Sequence, residues 1–175
     1  MLYFVSDTHF NHAKLTKLWP NHFDETRSYD TVEEMNNNII KVWNENITDE
    51  DKVIFLGDFM LNVQKDNYLA EFNRMTSILH GEKLFILGNH DDKMVKTCPN
   101  IKKYDKFTFK YGELVYHCQH RPYLKENMHI GNVYIHGHTH STIRFAQGQN
   151  NVCWEAWYRP VSISELKPYS VLVYK

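Results

Sequence analysis

Five short segments carry side chains that could hold metal ions together: Asp7-Thr8-His9, Gly57-Asp58, Gly88-Asn89-His90-Asp91, His120 and Gly137-His138-Thr139-His140. In an extended segment, residues i and i+2 face the same way. Asp7 with His9, and His138 with His140, therefore read as two ligand pairs. Asp58, Asn89 and His120 bring the set to seven, all oxygen or nitrogen donors. A single ion with an open position rarely needs so many, whereas two ions sharing a carboxylate use them naturally. Without thiolates, the set suits Mn, Fe, Ni, Zn or Mg, manganese foremost, over copper(I) or an iron–sulfur cluster. Two divalent ions bring four positive charges against the two negative charges of Asp7 and Asp58. A bridging hydroxide would leave the centre at about +1, a Lewis-acid pair suited to a phosphate anion and to in-line displacement at phosphorus.

The elements that must position these residues are legible around them. Four of the segments follow apolar runs: Leu2–Val5, Val53–Leu56, Leu84–Leu87 and Val133–Ile135. Such runs, bounded by Gly and polar residues, predict buried strands. Ligands then sit at strand carboxyl ends, where layered sheets place their sites. A short helix is expected over Ala13–Trp19. Thr31 and Glu34, three apart, read as a capping box opening a helix with Met35, Ile39, Val42 and Trp43 at helical spacing. A second helix is expected from about Gln64 to Leu79, with Tyr68, Phe72, Met75 and Leu79 on one face and Gly81 as its stop. Beyond residue 100 the character turns to strands, at about 106–110, 113–119 and 132–136, with two or three more toward the C-terminus and a short turn at Ser162–Leu166. The expected fold class is α/β, a layered β-sandwich of mixed sheets flanked by α-helices, in one domain over 1–175.

Composition narrows the function classes. The formal net charge of −1 gives no overall basic field for nucleic acid or anionic lipid. No apolar stretch approaches the roughly 18 residues of a membrane span, and no signal peptide is visible at the N-terminus. Cys98, Cys118 and Cys153 are isolated and odd in number, which suggests free thiols in a reducing, cytoplasmic setting.

The order D-x-H, G-D, G-N-H-D, H, G-H-x-H resembles the calcineurin-like metallophosphoesterases over the whole chain. Ser6-Asp7-Thr8-His9-Phe10 and Arg159-Pro160-Val161-Ser162 look like a compact bacterial and phage branch of that family. The resemblance implies that Asp7, His9 and His140 hold one ion, that Asn89, His120 and His138 hold the other, and that Asp58 bridges them. It implies His90 as a catalytic acid over the substrate, with a metal-bridging hydroxide attacking phosphorus. His117 competes with His120 for the place between G-N-H-D and G-H-x-H. His120 is preferred, because Pro122 ends a strand and H-x-P resembles the family pattern. Asp91 is expected either to orient His90 or to cap the next helix. His12 and Arg27 could contact phosphate, or stand as solvated loop residues. His22, His80, His129 and His136 read as structural, and Trp154, Trp157 and Tyr158 as packing rather than base-stacking.

The expected activity is hydrolysis of a phosphodiester or nucleotide-type substrate with two divalent ions as cofactors. The alternatives are a phosphomonoesterase or nuclease of the same fold, or a protein-binding scaffold without catalysis, as the retromer subunit of this fold is. A nuclease would want a basic groove, and the balanced overall charge argues mildly against one without excluding a local basic patch. A scaffold would be expected to have lost a ligand or His90, and every matching position is filled.

Overall fold

The computed structural model describes residues 1–16, 27–98 and 101–170. β1 (Leu2–Val5), β2 (Lys52–Phe55), β3 (Glu82–Ile86) and β4 (Lys103–Tyr104) run parallel in one sheet, with β10 (Val161–Ser162) antiparallel against β1. A second sheet has the order β5-β6-β7-β9-β8. In it β5 (Lys106–Tyr111) and β6 (Leu114–Gln119) form a hairpin through Gly112, which has φ 59°. β7 (Val133–His136) and β9 (Gln149–Asn151) continue parallel to β6, and β8 (Phe145–Ala146) closes the edge. Both sheets are mixed, as expected.

Strand periodicity explains how these layers pack. Val5, Val53, Phe55 and Phe85 face a helical layer, whereas Phe4, Ile54, Leu56 and Ile86 face Tyr116, Cys118, Val133 and Ile135 of the second sheet. The first sheet is thus buried on both faces, which is why its strands read as apolar runs without alternation. The helical layer is α1 (Val32–Asn46) and α2 (Lys65–Ile78), which contribute Met35, Ile39 and Trp43, and Tyr68, Phe72 and Met75. Each such side chain contributes roughly 1.5–3 kcal/mol when fully buried, so the strand ends project from a rigid platform.

Some local expectations change. Thr31 Oγ1 accepts from the Glu34 N–H at 3.0 Å, but Glu34 returns its carboxylate to the Asp30 N–H at 2.9 Å, one residue before the cap. The helix expected from Ala13 is a single 3-10 turn over Ala13–Leu15. Its expected end at Trp19, and His22, lie outside the described residues. The short helix α3 (Asp92–Thr97) follows Asp91, as the capping alternative for that residue implied, and the short helix α4 (Trp154–Trp157) was not expected. Trp154 and Trp157 belong to the two cores, while Tyr158 is exposed. Cys98, Cys118 and Cys153 are free and buried. Among the described residues, no helix is long and apolar enough to cross a membrane.

Candidate metal centre

The strand ends turn sharply, and the chemistry sits on the turns. Asp7 (φ 56°), His9 (φ 49°), Asp58 (φ 60°), His138 (φ 70°) and His140 (φ 49°) are all left-handed, a conformation that costs a non-glycine residue energy. The two D-x-H-type pairs therefore do not converge through an extended backbone, as the spacing had suggested. Asp7 and His9 come together because both turn back, whereas His138 and His140, expected as a same-face pair, are sent to different groups by their left-handed turns. Glycines permit the close approach of neighbouring turns. A Cβ on Gly57, which itself has φ +94°, would lie 2.6 Å from both the Gly88 backbone and His120 Nδ1. A Cβ on Gly137 would lie 2.5 Å from Asp7 Oδ2.

Two groups of ligand-type atoms result. Asp7, His9 and His140 form one, and Asp58, His120 and His138 the other. In the first, His9 Nε2 lies 3.1 Å from His140 Nε2 and 3.7 Å from Asp7 Oδ1, and His140 Nε2 lies 3.6 Å from that oxygen. In the second, His120 Nε2 lies 3.2 Å from His138 Nδ1, 3.0 Å from Asn89 Oδ1 and 3.5 Å from Asp58 Oδ2. Asp58 Oδ2 is also 3.7 Å from His9 Nε2, so one carboxylate oxygen faces both groups. Ligands bound at about 2.1 Å in a tetrahedron stand about 3.4 Å apart, and the observed separations bracket that edge.

The donor set fits cations on a further observation. Asp7 Oδ1 is buried and has no hydrogen-bond partner among the described residues. Its other oxygen accepts from the His138 N–H at 2.8 Å and the Cys153 thiol at 3.3 Å. Burial alone would raise the Asp7 carboxyl, yet His9, His140 and His120 hold it far below the usual carboxylate range. Asp58 is pushed up to about 6 by burial and by the facing Asp7. Burial pushes His9 down to about 4, so its imidazole is neutral with a lone pair to offer. Two buried carboxylates and four imidazoles converge there, and with Asp7 held ionised and His9 held neutral they form a site for positive charge.

Outer partners aim these side chains. His120 Nδ1 donates to Leu56 O at 2.8 Å, leaving Nε2 for the cluster. The His90 N–H donates to Asp58 Oδ1 at 2.9 Å, leaving Oδ2 for both groups. His140 Nδ1 lies 2.9 Å from Glu155 Oε1, and Glu155 pairs with Arg27 Nε at 2.7 Å. Burial would raise the Glu155 carboxyl, but Arg27 and His140 draw it below its ordinary value. Arg27 also donates to Thr8 O at 2.8 Å and to Asp7 O, so it is a buried clamp and not a solvated loop residue. Sequence reasoning missed Glu155 altogether. Its signal was a lone acid inside Trp154-Glu155-Ala156-Trp157, where the flanking aromatics make a buried charge that needs partners.

Asp91 does something other than either expected role. It gives α3 no side-chain cap. Its Oδ2 accepts from the Asp58 and Gly88 N–H groups, both at 2.8 Å, and its Oδ1 from the Phe59 N–H at 3.2 Å. It ties together the turns that carry Asp58 and Asn89. His90 is exposed above the centre, its ring centroid 5.7 Å from that of His9. His12 is half-buried beside it, 5.4 Å from the His9 ring, and burial and His90 push it down to about 4. His117 lies away from both groups. It stacks on Tyr134 at 4.8 Å and contacts Thr108 Oγ1 at 3.3 Å and Asn132 Nδ2 at 3.0 Å. A groove of about 1050 Å³ leads outward from Asn89 and His120 past Arg121 to Tyr123 and Asn127.

No protein-family model matches the chain. It is 36% identical over 141 residues to the uncharacterized protein MJ1445 of Methanocaldococcus jannaschii, spanning 80% of this chain and 69% of that protein. It is 27% identical over 197 residues to the Gene 66 protein of Mycobacterium phage L5, spanning 94% and 91%. Among solved structures, the protein of unknown function AQ665 from Aquifex aeolicus superposes with a TM-score of 0.65 at 24% identity, covering 94% of this chain and 96% of that one. Yfce, a phosphoesterase from E. coli, superposes with a TM-score of 0.50 at 12% identity, covering 87% and 77%. The last two likenesses are of fold.

Proposed function

The chain belongs to the same family as the M. jannaschii protein MJ1445, and we propose that it is a two-metal phosphoesterase of the calcineurin-like type, acting on a phosphodiester or nucleotide-type substrate. The observation that carries this reading is Asp58 Oδ2, which lies 3.7 Å from His9 Nε2 and 3.5 Å from His120 Nε2 and so is shared by both ligand groups. In this reading Asp7, His9 and His140 would hold one ion, and Asn89, His120 and His138 the other, with Asp58 available to both. Bound there, manganese or a similar divalent pair would supply Lewis acidity at phosphorus and lower the pKa of the attacking water.

The rest of the mechanism belongs to the chain's own side chains. His9, neutral, and His120 present Nε2 to the centre through their geometry: Glu155 and Leu56 O hold the far ring nitrogens of His140 and His120 so that neither imidazole can turn away. His90 is exposed beside the ligand groups on the Gly88–Asp91 turn, its own N–H tied to Asp58 Oδ1 and its ring 5.7 Å from that of His9. From that position it would stabilise the phosphoryl oxygens and give a proton to the leaving oxygen. The fold likeness to Yfce, a phosphoesterase, supports the same reaction class.

The test is a screen of protein reconstituted with Mn, Zn or Mg against aryl mono- and diesters, cyclic nucleotides and short nucleic acids. Metal-dependent turnover with a preference for diesters or nucleotides is expected. No turnover on any phosphoester with metal bound would reject the enzymatic reading.

A further inference from the structure

One guanidinium at the centre has no part in the reading above. Arg121 follows His120 directly, is exposed, and donates from Nη1 to His138 Nε2 at 2.9 Å. That bond needs a lone pair on Nε2, so the His138 proton sits on Nδ1. Nδ1 donates in turn to His120 Nε2 at 3.2 Å, and His120 Nδ1 to Leu56 O at 2.8 Å. Yet His138 Nδ1 is the atom that faces the second ligand group. A cation there requires the Nδ1 lone pair. The proton then belongs on Nε2, where it meets Arg121 donor against donor. The two arrangements exclude each other.

We propose that Arg121 is a phosphate-contacting residue, whose guanidinium leaves His138 when a cation takes Nδ1 and turns onto the phosphoryl oxygens of the substrate. This rests on the two-metal reading. Two further observations place Arg121 in that role. Its backbone is pinned, since Gln119 Nε2 donates to Arg121 O at 2.8 Å and to Pro122 O at 3.3 Å, while its exposed side chain is held by the bond to His138 alone among the described residues. It also lines the groove that opens beside Asn89 and His120, so a phosphate held at its head has room for an ester arm toward Tyr123 and Asn127. The other arginines are engaged elsewhere. Arg27 pairs with Glu155, Arg74 with Glu71, Arg159 with Glu165, and Arg144 lies over Trp157 while donating to Ala156 O. A planar fork suits two phosphoryl oxygens at once.

Zinc-loaded wild type, Arg121→Ala and Arg121→Lys, each first assayed for two zinc ions, are titrated with inorganic phosphate by calorimetry. Arg121→Ala should bind phosphate roughly 10- to 100-fold more weakly, as befits a charged hydrogen bond, with Lys in between. In parallel, imidazole nitrogen NMR of wild type should show His138 changing from the Nδ1–H to the Nε2–H tautomer on zinc addition. If two zinc ions are bound and Arg121→Ala holds phosphate as tightly as wild type, this inference falls alone. Retention of Nδ1–H with zinc bound also overturns it. If wild type binds no zinc, the two-metal reading falls and takes this one with it.

Discussion

Glu155→Ala separates the work of holding the fold from that of holding the site. The Glu155 side chain is 3% exposed and its partner Arg27 1%, with 2.7 Å between Oε1 and Nε. Removing one member of such a pair strands the other charge in the interior, at a cost of about 3–5 kcal/mol. The same Oε1 lies 2.9 Å from His140 Nδ1. Freed of it, His140 can rotate and lose its tautomer, which typically lowers metal affinity 10- to 100-fold. Glu155→Gln distinguishes the two effects. Its Oε1 can still accept from His140, but the bond to Arg27 becomes a neutral-acceptor one, weaker by about 1–2 kcal/mol. Urea denaturation of the metal-free proteins and zinc titration of the folded ones give the two readouts. Glu155→Ala should lose both stability and zinc affinity, whereas Glu155→Gln should lose some stability and keep zinc affinity within a few-fold. Glu155→Ala with wild-type zinc affinity would refute the orienting role, and a stability change under about 1 kcal/mol would refute the buried pair.

Three other outcomes are expected. His90→Ala should keep both ions while kcat falls by roughly 10²–10⁴, far more on alkyl or nucleoside esters than on activated aryl esters; an equal loss across a leaving-group series would mean that His90 donates no proton. His120→Ala should cost metal at one site and most of the activity, whereas His117→Ala should cost mainly stability through its lost stack on Tyr134; metal titration of both variants decides between them, and the opposite pattern would reverse the assignment. Asp91→Asn should destabilise the protein by about 1–3 kcal/mol, since an amide must leave at least one of the three N–H groups, two of them buried, facing a donor; a denaturation midpoint equal to wild type would refute the tie it makes.

The sheets were legible because β1, β2, β3 and β7 are buried on both faces and so read as unbroken apolar runs. The helices α1 and α2 were legible because their buried residues recur at helical spacing over several turns. α4 escaped because four residues are too few to show a period, and the six-residue α3 was implied only through Asp91 as its possible cap. The ligand-type side chains stood out by type and by following strands, and the structure brings them together. What the sequence could not carry was the backbone that does so: the left-handed turns at Asp7, His9, His138 and His140 leave no mark in residue type beyond nearby glycines. The same holds for partners distant in the chain. Arg27 read as a solvated residue and Asp91 as a cap or a partner of His90, because nothing local reveals that Arg27 reaches Glu155 or that Asp91 collects amides from two other turns.

Anomalous scattering from crystals of manganese-reconstituted protein, with elemental analysis of wild type and Asp58→Asn, tests the central claim most directly. Two ions per chain, both adjacent to Asp58, and weakened binding at both sites in Asp58→Asn are the expected result. At most one ion under saturating manganese, or an Asp58→Asn variant that loses one ion and holds the other as tightly as wild type, would contradict the shared-carboxylate centre.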